Sequence, residues 1–218
     1  MKLTFATAIL FTAGTAFAGS GPIQVNGGFE LGTGADSDGW EENAGGGAGT
    51  VSERFFGNAA SGDYSHYLGA FGNDTTGASA GMTQNSQFVG LGTLDEGSSL
   101  QLSFDAATNF GPGGVGFYAL RILNADGAIV ADTGLQMMAA TGGYQSYSTA
   151  ELTVPAFGGA PSDFYAAFVE FSVAAGAFDG STSEAYIDNV VITGTIVPAP
   201  GALAMLGLGG LVAGRRRR

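Results

Sequence analysis

The single tryptophan of the chain, Trp40, lies among four acidic residues: Asp36, Asp38, Glu41 and Glu42. An exposed indole ring can stack on a sugar ring while neighbouring carboxylates accept hydrogen bonds from the sugar hydroxyl groups. Tryptophan is also mostly buried in folded proteins, so the ring could instead cover one end of a hydrophobic core. Trp40 is therefore a candidate ligand contact with a structural alternative.

Three further side chains are candidate ligand contacts on a sheet face. His66, the only histidine, is followed by Tyr67, and Tyr118 lies in a later aromatic run. A histidine without metal-ligand or catalytic partners defines no site, and a hydrogen bond within the fold is its ordinary role. Tyrosines in an alternating pattern are equally typical of ordinary sheet surfaces.

Signatures of catalysis are absent from the sequence. The chain has no Gly-x-Ser-x-Gly elbow, no second histidine for a metal pair and no glycine-rich phosphate loop that leads into a helix. Two carboxylates suffice for glycoside hydrolysis, but no spacing singles out one pair among the 19 acidic residues. The sequence therefore favours a non-catalytic protein.

The charge of the chain is distributed unevenly. Lys2 and the last four arginines are five of the seven basic residues, and all 19 acidic residues lie between Glu30 and Asp188. The part between the termini keeps two arginines against 19 carboxylates, a net charge of −17. Such a field repels nucleic acid and excludes it as a partner. The chain has no cysteine, which excludes disulfides and thiol chemistry.

Short apolar and aromatic runs between glycine turns predict the elements that position these side chains. Strands are predicted over residues 22–29, 50–56, 65–71, 100–106, 115–123, 128–131, 144–154, 164–173 and 184–196. The run Asn124-Ala125-Asp126-Gly127 predicts the turn of a β-hairpin. No window between Gly19 and Val197 has a sustained helical period. We therefore predict an all-β domain over residues 19–196, built as an antiparallel β-sandwich.

Three segments of this domain resemble known modules. They are Asn26-Gly27-Gly28-Phe29-Glu30 with the later Gly39-Trp40, the run from Leu100 to Ala106, and the run from Tyr186 to Ile192. Their types and order are similar to the opening, middle and closing segments of jelly-roll carbohydrate-binding modules with a galactose-binding-like fold. The resemblance implies a jelly roll whose first and last strands run near one another, and a glycan as ligand.

The same resemblance implies a structural calcium ion. In these modules the residues that match Glu30 and Asp188 commonly help to ligate calcium. Ca²⁺ takes about six to eight oxygen ligands, which two carboxylates and the backbone carbonyls of glycine-rich loops can supply. The alternative is that Glu30 is a turn carboxylate and that Asp188 caps the end of a strand.

Both ends of the chain carry targeting signals. Residues 1–18 have the positive start, the apolar core and the small-x-small end of a secretory signal peptide. Residues 197–218 predict a single membrane-sorting helix, because an apolar run separates two prolines from four terminal arginines that favour the cytoplasmic side. These prolines and arginines are Pro198, Pro200, Arg215, Arg216, Arg217 and Arg218.

This tail resembles the PEP-CTERM sorting signal of bacterial exopolysaccharide-associated proteins, in a variant form with Ala199 in place of the usual central Glu. The resemblance implies processing by an exosortase-type membrane protease. It also implies transit through the inner membrane to the cell surface or the extracellular matrix, with extracellular polysaccharide as partner.

These observations leave three functions open. The first is an exported, non-catalytic module that binds glycan or associates with exopolysaccharide. The second is a purely structural, acidic coat or matrix protein without a discrete ligand site. The third, and the least favoured, is a glycosidase or lyase.

Overall fold

The structure, a computed structural model, describes residues 19–45, 47, 49–86, 93–156 and 165–197. All secondary-structure elements within these ranges are β-strands. In chain order the strands are β1 (Gly19–Pro22), β2 (Gly32–Thr33), β3 (Asp36–Ser37), β4 (Glu41–Asn43), β5 (Thr50–Phe56), β6 (Tyr64–Phe71), β7 (Ala78–Asn85), β8 (Thr93–Leu94), β9 (Ser99–Phe110), β10 (Gly114–Leu123), β11 (Ile129–Asp132), β12 (Gln136–Met138), β13 (Tyr144–Ser148), β14 (Leu152–Thr153), β15 (Ala166–Ala175) and β16 (Thr182–Val197).

The two predicted targeting segments are not part of this description. The signal peptide over residues 1–18 and the sorting motif from Pro198 onward lie outside the described residues. In the part of the chain that is described, no helix has the length and apolar character needed to cross a membrane.

Two antiparallel sheets form the described part of the domain. The front sheet has the strand order β13-β9-β16-β6-β5, and β1, β8 and β14 extend it along β16 and β9. The back sheet has the order β11-β10-β15-β7-β4, with β12 beside β10. β2 and β3 form a small separate hairpin, whose turn accepts a hydrogen bond at the carbonyl of Ala35 from the backbone N–H of Arg54 in β5 at 2.6 Å. The predicted antiparallel β-sandwich is confirmed.

The hydrophobic core lies between the sheets. Leu102 and Phe104 of β9 face it from the front sheet, and Val169 and Phe171 of β15 face it from the back sheet. The rings of Phe104 and Phe171 meet edge to face, with ring centres 4.8 Å apart. Each large apolar side chain that is buried in this way contributes about 1.5–3 kcal/mol. The strands predicted over residues 100–106 and 164–173 are confirmed, as β9 and β15.

A bulge in β16 determines which residues of the last strand face outward. The register with β9 shifts between Asp188 and Val191, and Asn189 has a φ of 50°. Ile187 before the bulge and Ile192 after it are both buried in the core. Because of the extra residue, apolar side chains before and after the bulge both face the core. Asp188 lies opposite Asp105 on the outer side of the front sheet.

The strand predicted over residues 22–29 is wrong. The first strand ends at Pro22, and the chain then turns through Asn26 and Phe29, whose φ values of 49° and 55° lie in the left-handed region. Two backbone hydrogen bonds still join this segment to β16: Ile23 N–H donates to the carbonyl of Ile192 at 3.0 Å, and Val190 N–H donates to that of Gly27 at 2.8 Å.

β7 is a strand that the sequence pattern does not predict. This strand pairs with β15 and with β4 inside the back sheet. Its residues, Ala78–Asn85, include a single β-branched side chain, Thr83, and no aromatic one. Since strand propensity rests on such side chains, the segment carries little local signal, and its place in the sheet depends on the flanking strands.

Candidate functional site: a tyrosine-lined cleft

Three aromatic rings stand together on the outer face of the front sheet. Tyr186 of β16 alternates with buried residues and so points away from the core, and its cross-strand partner is Tyr67 of β6. The ring centres of these tyrosines are 4.8 Å apart, and the ring of Phe55 meets Tyr186 edge-on at 5.3 Å. Pairs with this geometry contribute about 0.5–1.5 kcal/mol beyond area burial. The three rings therefore form a fixed aromatic platform.

The platform continues into a cleft on the side of β9 and β13. Tyr186 pairs with Ala107, and Ala107 pairs with Tyr144, so the three side chains lie in one row on the same face. The small side chain of Ala107 leaves a depression between the two tyrosines. The depression is a cleft of about 320 Å³ whose lining includes Asn58, Ala107, Asn109, Tyr144, Glu184 and Tyr186.

Glu184 supplies the charge of the cleft. Its Oε1 accepts a hydrogen bond from the Tyr67 hydroxyl at 2.8 Å, and its Oε2 accepts one from Asn109 Nδ2 at 3.3 Å. Burial raises the pKa of Tyr67, and the hydrogen bond to Glu184 raises it further. The tyrosine is therefore a neutral donor, and neither partner cancels the charge of the carboxylate.

Tyr144 fixes the opposite wall through Asn58. Its hydroxyl donates to the backbone carbonyl of Asn58 at 2.7 Å, and Ser65 Oγ donates to the same oxygen at 2.6 Å. Burial raises the pKa of Tyr144 to about 12, so this hydroxyl stays protonated at neutral pH. Two donors thus hold the backbone at Asn58, the residue that lines this side of the cleft.

Asp188 anchors the loop that carries Asn58, residues Gly57–Asp63, which we call the wall loop. The carboxylate is fully buried. Its Oδ2 accepts hydrogen bonds from the backbone N–H groups of Ala60 and Ser61 at 2.8 and 2.9 Å. Burial raises the pKa of Asp188, and these amides oppose that shift. Hydrogen bonds to an ionised acceptor are short and strong, so the Asp188 carboxylate holds the wall loop in place.

Glu30 anchors the far end of the same loop. Its Oε1 accepts hydrogen bonds from the backbone N–H groups of Asp63 and Tyr64 at 2.9 and 3.1 Å. A methyl group added at Gly28 would lie 3.8 Å from Asp188 Oδ1 and 4.0 Å from Glu30 Cγ, so both side chains approach this glycine. The structure therefore brings together two residues that the sequence places at opposite ends of the domain.

The surroundings of these carboxylates fit a calcium ion only in part. Within the described residues no group of three or more acidic or histidine side chains could hold a metal. Most ligands would therefore have to be backbone carbonyls. Two of those nearby are already engaged, because Arg54 donates through Nε to the carbonyl of Phe29 at 2.6 Å and through Nη2 to that of Glu30 at 2.8 Å.

Trp40 and Tyr118 lie in the core and not at the cleft. Each is 6% exposed. The indole N–H of Trp40 donates to the carbonyl of Asn26 at 3.1 Å, and its ring centre is 5.2 Å from that of Phe29. Tyr118 packs against Phe104 at 4.9 Å. Trp40 thus covers one end of the core, which is the structural alternative that its sequence context allowed.

His66 is buried completely, within a chain of hydroxyl groups. Ser37 Oγ lies 3.0 Å from its Nδ1, and Ser52 Oγ lies 3.0 Å from its Nε2. Because Ser52 donates its proton to the carbonyl of Gly81 at 2.9 Å, it accepts from Nε2, which leaves Nδ1 to accept from Ser37. Burial lowers the pKa of His66 to about 3, so the ring is neutral. Of the four predicted ligand contacts, only Tyr67 belongs to the aromatic platform.

Glu184, Tyr186 and Asn58, which line the cleft, are not among the ligand contacts predicted from the sequence. Glu184 and Tyr186 are two positions apart in the last strand, so the alternation itself places them on one face. This alternation is the sequence signal from which Glu184 and Tyr186 could have been identified as neighbours on one face. Asn58 lies in a glycine-containing loop without periodicity, and no local pattern indicates where its side chain lies.

No protein-family model and no curated protein matches this chain. Solved structures do. The enzymatically active domain of tailspike protein 4 from bacteriophage CBA120 matches with a TM-score of 0.56 and 20% identity, over 78% of this chain and 21% of that one. A cyclase from Fischerella sp. TAU matches with a TM-score of 0.52 and 16% identity, over 84% of this chain and 100% of that one.

A third solved structure is an arabinose-bound GH51 α-L-arabinofuranosidase, with a TM-score of 0.52 and 14% identity, over 79% of this chain and 26% of that one. The chain thus spans only a small part of the tailspike protein and of the arabinofuranosidase. At these identities the similarity shows only the fold, which is an antiparallel β-sandwich.

Proposed function

We propose that the domain is a non-catalytic module that binds glycan in the tyrosine-lined cleft. The observation that carries this proposal is the row of Tyr186, Ala107 and Tyr144, with Glu184 beside it. A sugar ring that enters the depression over Ala107 packs its C–H face against a tyrosine ring, and its hydroxyl groups donate to Glu184. The cleft combines two tyrosine rings with the polar side chains of Asn58, Asn109 and Glu184, a lining that suits a ligand with both C–H faces and hydroxyl groups.

An oligosaccharide suits this cleft better than a single sugar. Asn109, Gly142 and Gly143 are exposed along its rim, so a chain of sugar rings can continue past the tyrosines. Such an open site holds its ligand through stacking and a few hydrogen bonds, which favours weak and repeated contacts with a polysaccharide. This fits the extracellular polysaccharide implied by the terminal signals.

The affinity of a series of neutral oligosaccharides for the full chain, with and without Tyr186→Ala, tests the proposal. We expect the variant to lose about tenfold or more in affinity, because the stacking surface disappears. Phe56→Ala is the matched control, since that ring is 67% exposed and does not line the cleft. Binding by wild type and Tyr186→Ala with the same Kd would contradict the proposal, and release of reducing ends from the bound glycan would contradict a non-catalytic role.

A purely structural role as an acidic matrix protein is the second candidate. The observation that favours it is that both arginines in the described part of the chain are engaged. Arg121 forms an ion pair with Glu170, and Arg54 binds backbone carbonyls. The remaining carboxylates form a surface that dications could crosslink. The absence of any Tyr186-dependent glycan binding, together with calcium-dependent self-association, would favour this role.

We propose further that the two terminal segments bring the domain to the cell surface. Residues 1–18 direct export, and the tail from residue 197 is processed by an exosortase-type protease, as its Pro-x-Pro motif and arginine cluster indicate. Replacement of the four terminal arginines by alanine should leave unprocessed chain in the inner membrane. Normal surface delivery of that variant would contradict this route.

Glu30 and Asp188 are also proposed to bind a structural calcium ion. Two features support this. One carboxylate is fully buried, and the charge of Glu30 contributes to the raised pKa of Asp188. A dication between the two would remove this repulsion and strengthen the anchor of the wall loop.

A further inference from the structure

Glu184 is the only charged side chain among the described residues that line the cleft. Its two side-chain partners, the Tyr67 hydroxyl and the Asn109 amide, are neutral donors. A carboxylate offers about four acceptor positions, so two hydrogen bonds do not exhaust them. The cleft therefore presents a negative charge that no cation among the described lining residues compensates.

The surrounding carboxylates add to this negative potential. Burial raises the pKa of Tyr186 and of Tyr144, and nearby carboxylates raise both further: Glu184 and Glu53 act on Tyr186, and Asp188 and Asp105 act on Tyr144. Both hydroxyl groups therefore stay neutral, and the tyrosine faces remain electron-rich surfaces in an anionic environment.

Neither arginine of the described chain can reverse this potential at the cleft. The guanidinium of Arg54 lies 3.3 Å from the ring centre of Tyr64 and donates to backbone carbonyls. Arg121 belongs to the back sheet, where it pairs with Glu170 and lies 3.5 Å from Asp132. A ligand with a carboxylate group would be repelled here, whereas one with an ammonium group would be attracted.

We propose that the cleft selects amino sugars with a free, protonated amino group, which is held between the face of Tyr186 and the carboxylate of Glu184. Glu184 and Tyr186 are two residues apart on one face of β16, so both can reach the same substituent of one sugar ring. An ammonium group gains a cation–π contact and an ion pair at this place, and an N-acetyl group gains neither. This inference rests on the proposed glycan binding and specifies its ligand class.

Calorimetric titration of the full chain in mild detergent tests this selectivity, at a slightly acidic pH that keeps the amine protonated. The two probes are a glucosamine tetrasaccharide and its fully N-acetylated counterpart, which differ only in the acetyl groups. We expect wild type to bind the deacetylated probe about tenfold more tightly. We expect Glu184→Gln to lose most of this preference, because the ion pair disappears and only the contact with the Tyr186 face remains.

Glu96→Gln is the matched control, because it removes one negative charge from an exposed turn outside the cleft. It should keep the wild-type preference, as should Phe56→Ala. Equal affinity of wild type for both probes would overturn the selectivity and leave glycan binding intact. A loss of preference in Glu96→Gln as large as in Glu184→Gln would also overturn it, because general attraction to an acidic surface would then explain the result.

A different set of results would disprove the proposed glycan binding itself. If wild type bound neither probe nor any neutral glycan, or if Tyr186→Ala bound every glycan as wild type does, the cleft would not be the binding site. Both proposals would then fall together. Tyr186-dependent binding of neutral and charged glycans with one affinity would remove the selectivity alone.

Discussion

At the scale of single residues, His66 shows how its surroundings decide what a side chain can do. The histidine lies 3.7 Å from Glu42, a distance at which an ion pair could form. However, its ring nitrogens are satisfied by Ser37 and Ser52, and burial lowers its pKa to about 3. Burial outweighs the attraction of the carboxylate, and the only histidine is a neutral part of the core.

A dependence of stability on pH follows from this burial. Below pH 6.5 the unfolded chain protonates His66 and the folded chain does not until about pH 3, so the unfolded state binds more protons. The free energy of unfolding should therefore fall by about 1.4 kcal/mol per pH unit as the pH drops below 6.5. Urea unfolding at pH 7.0 and pH 5.5, with His66→Gln as comparison, measures this contribution.

The variant is needed because other groups act in the opposite direction. Burial raises the pKa of Glu42 and of Asp188, and a carboxyl group with a raised pKa stabilises the fold as the pH falls. These groups are common to both proteins, so the difference between wild type and His66→Gln isolates the histidine. The same slope in both would contradict the assignment of a buried, neutral ring.

Sequence alternation shows which residues share a face, but not which face packs on the core. Tyr118 and Tyr186 each lie between two apolar residues of a strand, yet Tyr118 lies in the core and Tyr186 faces the cleft. The difference arises from the pairing of whole strands, since cross-strand neighbours such as Ala107 and Tyr67 decide which positions remain open. No local pattern contains that information.

At the scale of elements, the wall loop connects the carboxylates of Glu30 and Asp188 to the cleft. Two glycines of this loop offer a matched pair of substitutions. Gly62 has a φ of 68°, and an added methyl group would overlap Glu30 Oε1. Gly57 has a φ of 90°, and nothing lies within 4 Å of the place of its methyl group. Both substitutions carry the conformational cost of alanine in the left-handed region, and only the first displaces a carboxylate.

We therefore expect Gly62→Ala to be less stable than Gly57→Ala and to bind glycan more weakly. The conformational cost should be about 1 kcal/mol in both variants, and the overlap with Glu30 adds to it only in Gly62→Ala. Unfolding curves and calorimetric titrations of the two variants provide the comparison. If both had the same stability and the same Kd, the carboxylates would not control the wall of the cleft.

Some elements follow from local chemistry and others do not. The hairpin of β10 and β11 was predicted from its turn, where Asn124 Oδ1 accepts hydrogen bonds from the backbone of Asp126 and Ala128 at 3.0 and 2.8 Å. The prediction is confirmed because the turn residues themselves determine this geometry. In contrast, Asn26 itself has a left-handed backbone conformation. Its side-chain Nδ2 stabilises the turn by donating to the carbonyls of Leu31 and Asp38. Contacts of that kind cannot be inferred from a short window.

At the scale of the whole molecule, the ends of the domain meet at the two carboxylates, where the calcium ion is proposed. If the ion binds there, the melting temperature of the full chain should be several degrees higher with calcium than with chelator, since a ligand of the folded state alone raises stability. Asp188→Asn should abolish this rise. Asp126→Asn, which removes an exposed charge from a turn, should retain it.

That control separates a specific ion from general screening of an acidic domain. A chain with a net charge of −17 between its terminal segments gains some stability from any dication. An equal rise in wild type and in Asp188→Asn would therefore indicate screening alone. An unchanged melting temperature in wild type would leave Glu30 and Asp188 as anchors of the wall loop without a metal.

Amide chemical shifts, mapped during a titration with an oligosaccharide that the protein binds, show whether glycan binds on the outer face of the front sheet. We expect the perturbed amides to cluster at Ala107, Tyr144, Glu184 and Tyr186, with Asn58 of the wall loop among them. The comparison surface is the smaller groove on the back sheet lined by Ser79, Gly81 and Ser172. Perturbations confined to that groove would rule out the tyrosine-lined cleft as the glycan site.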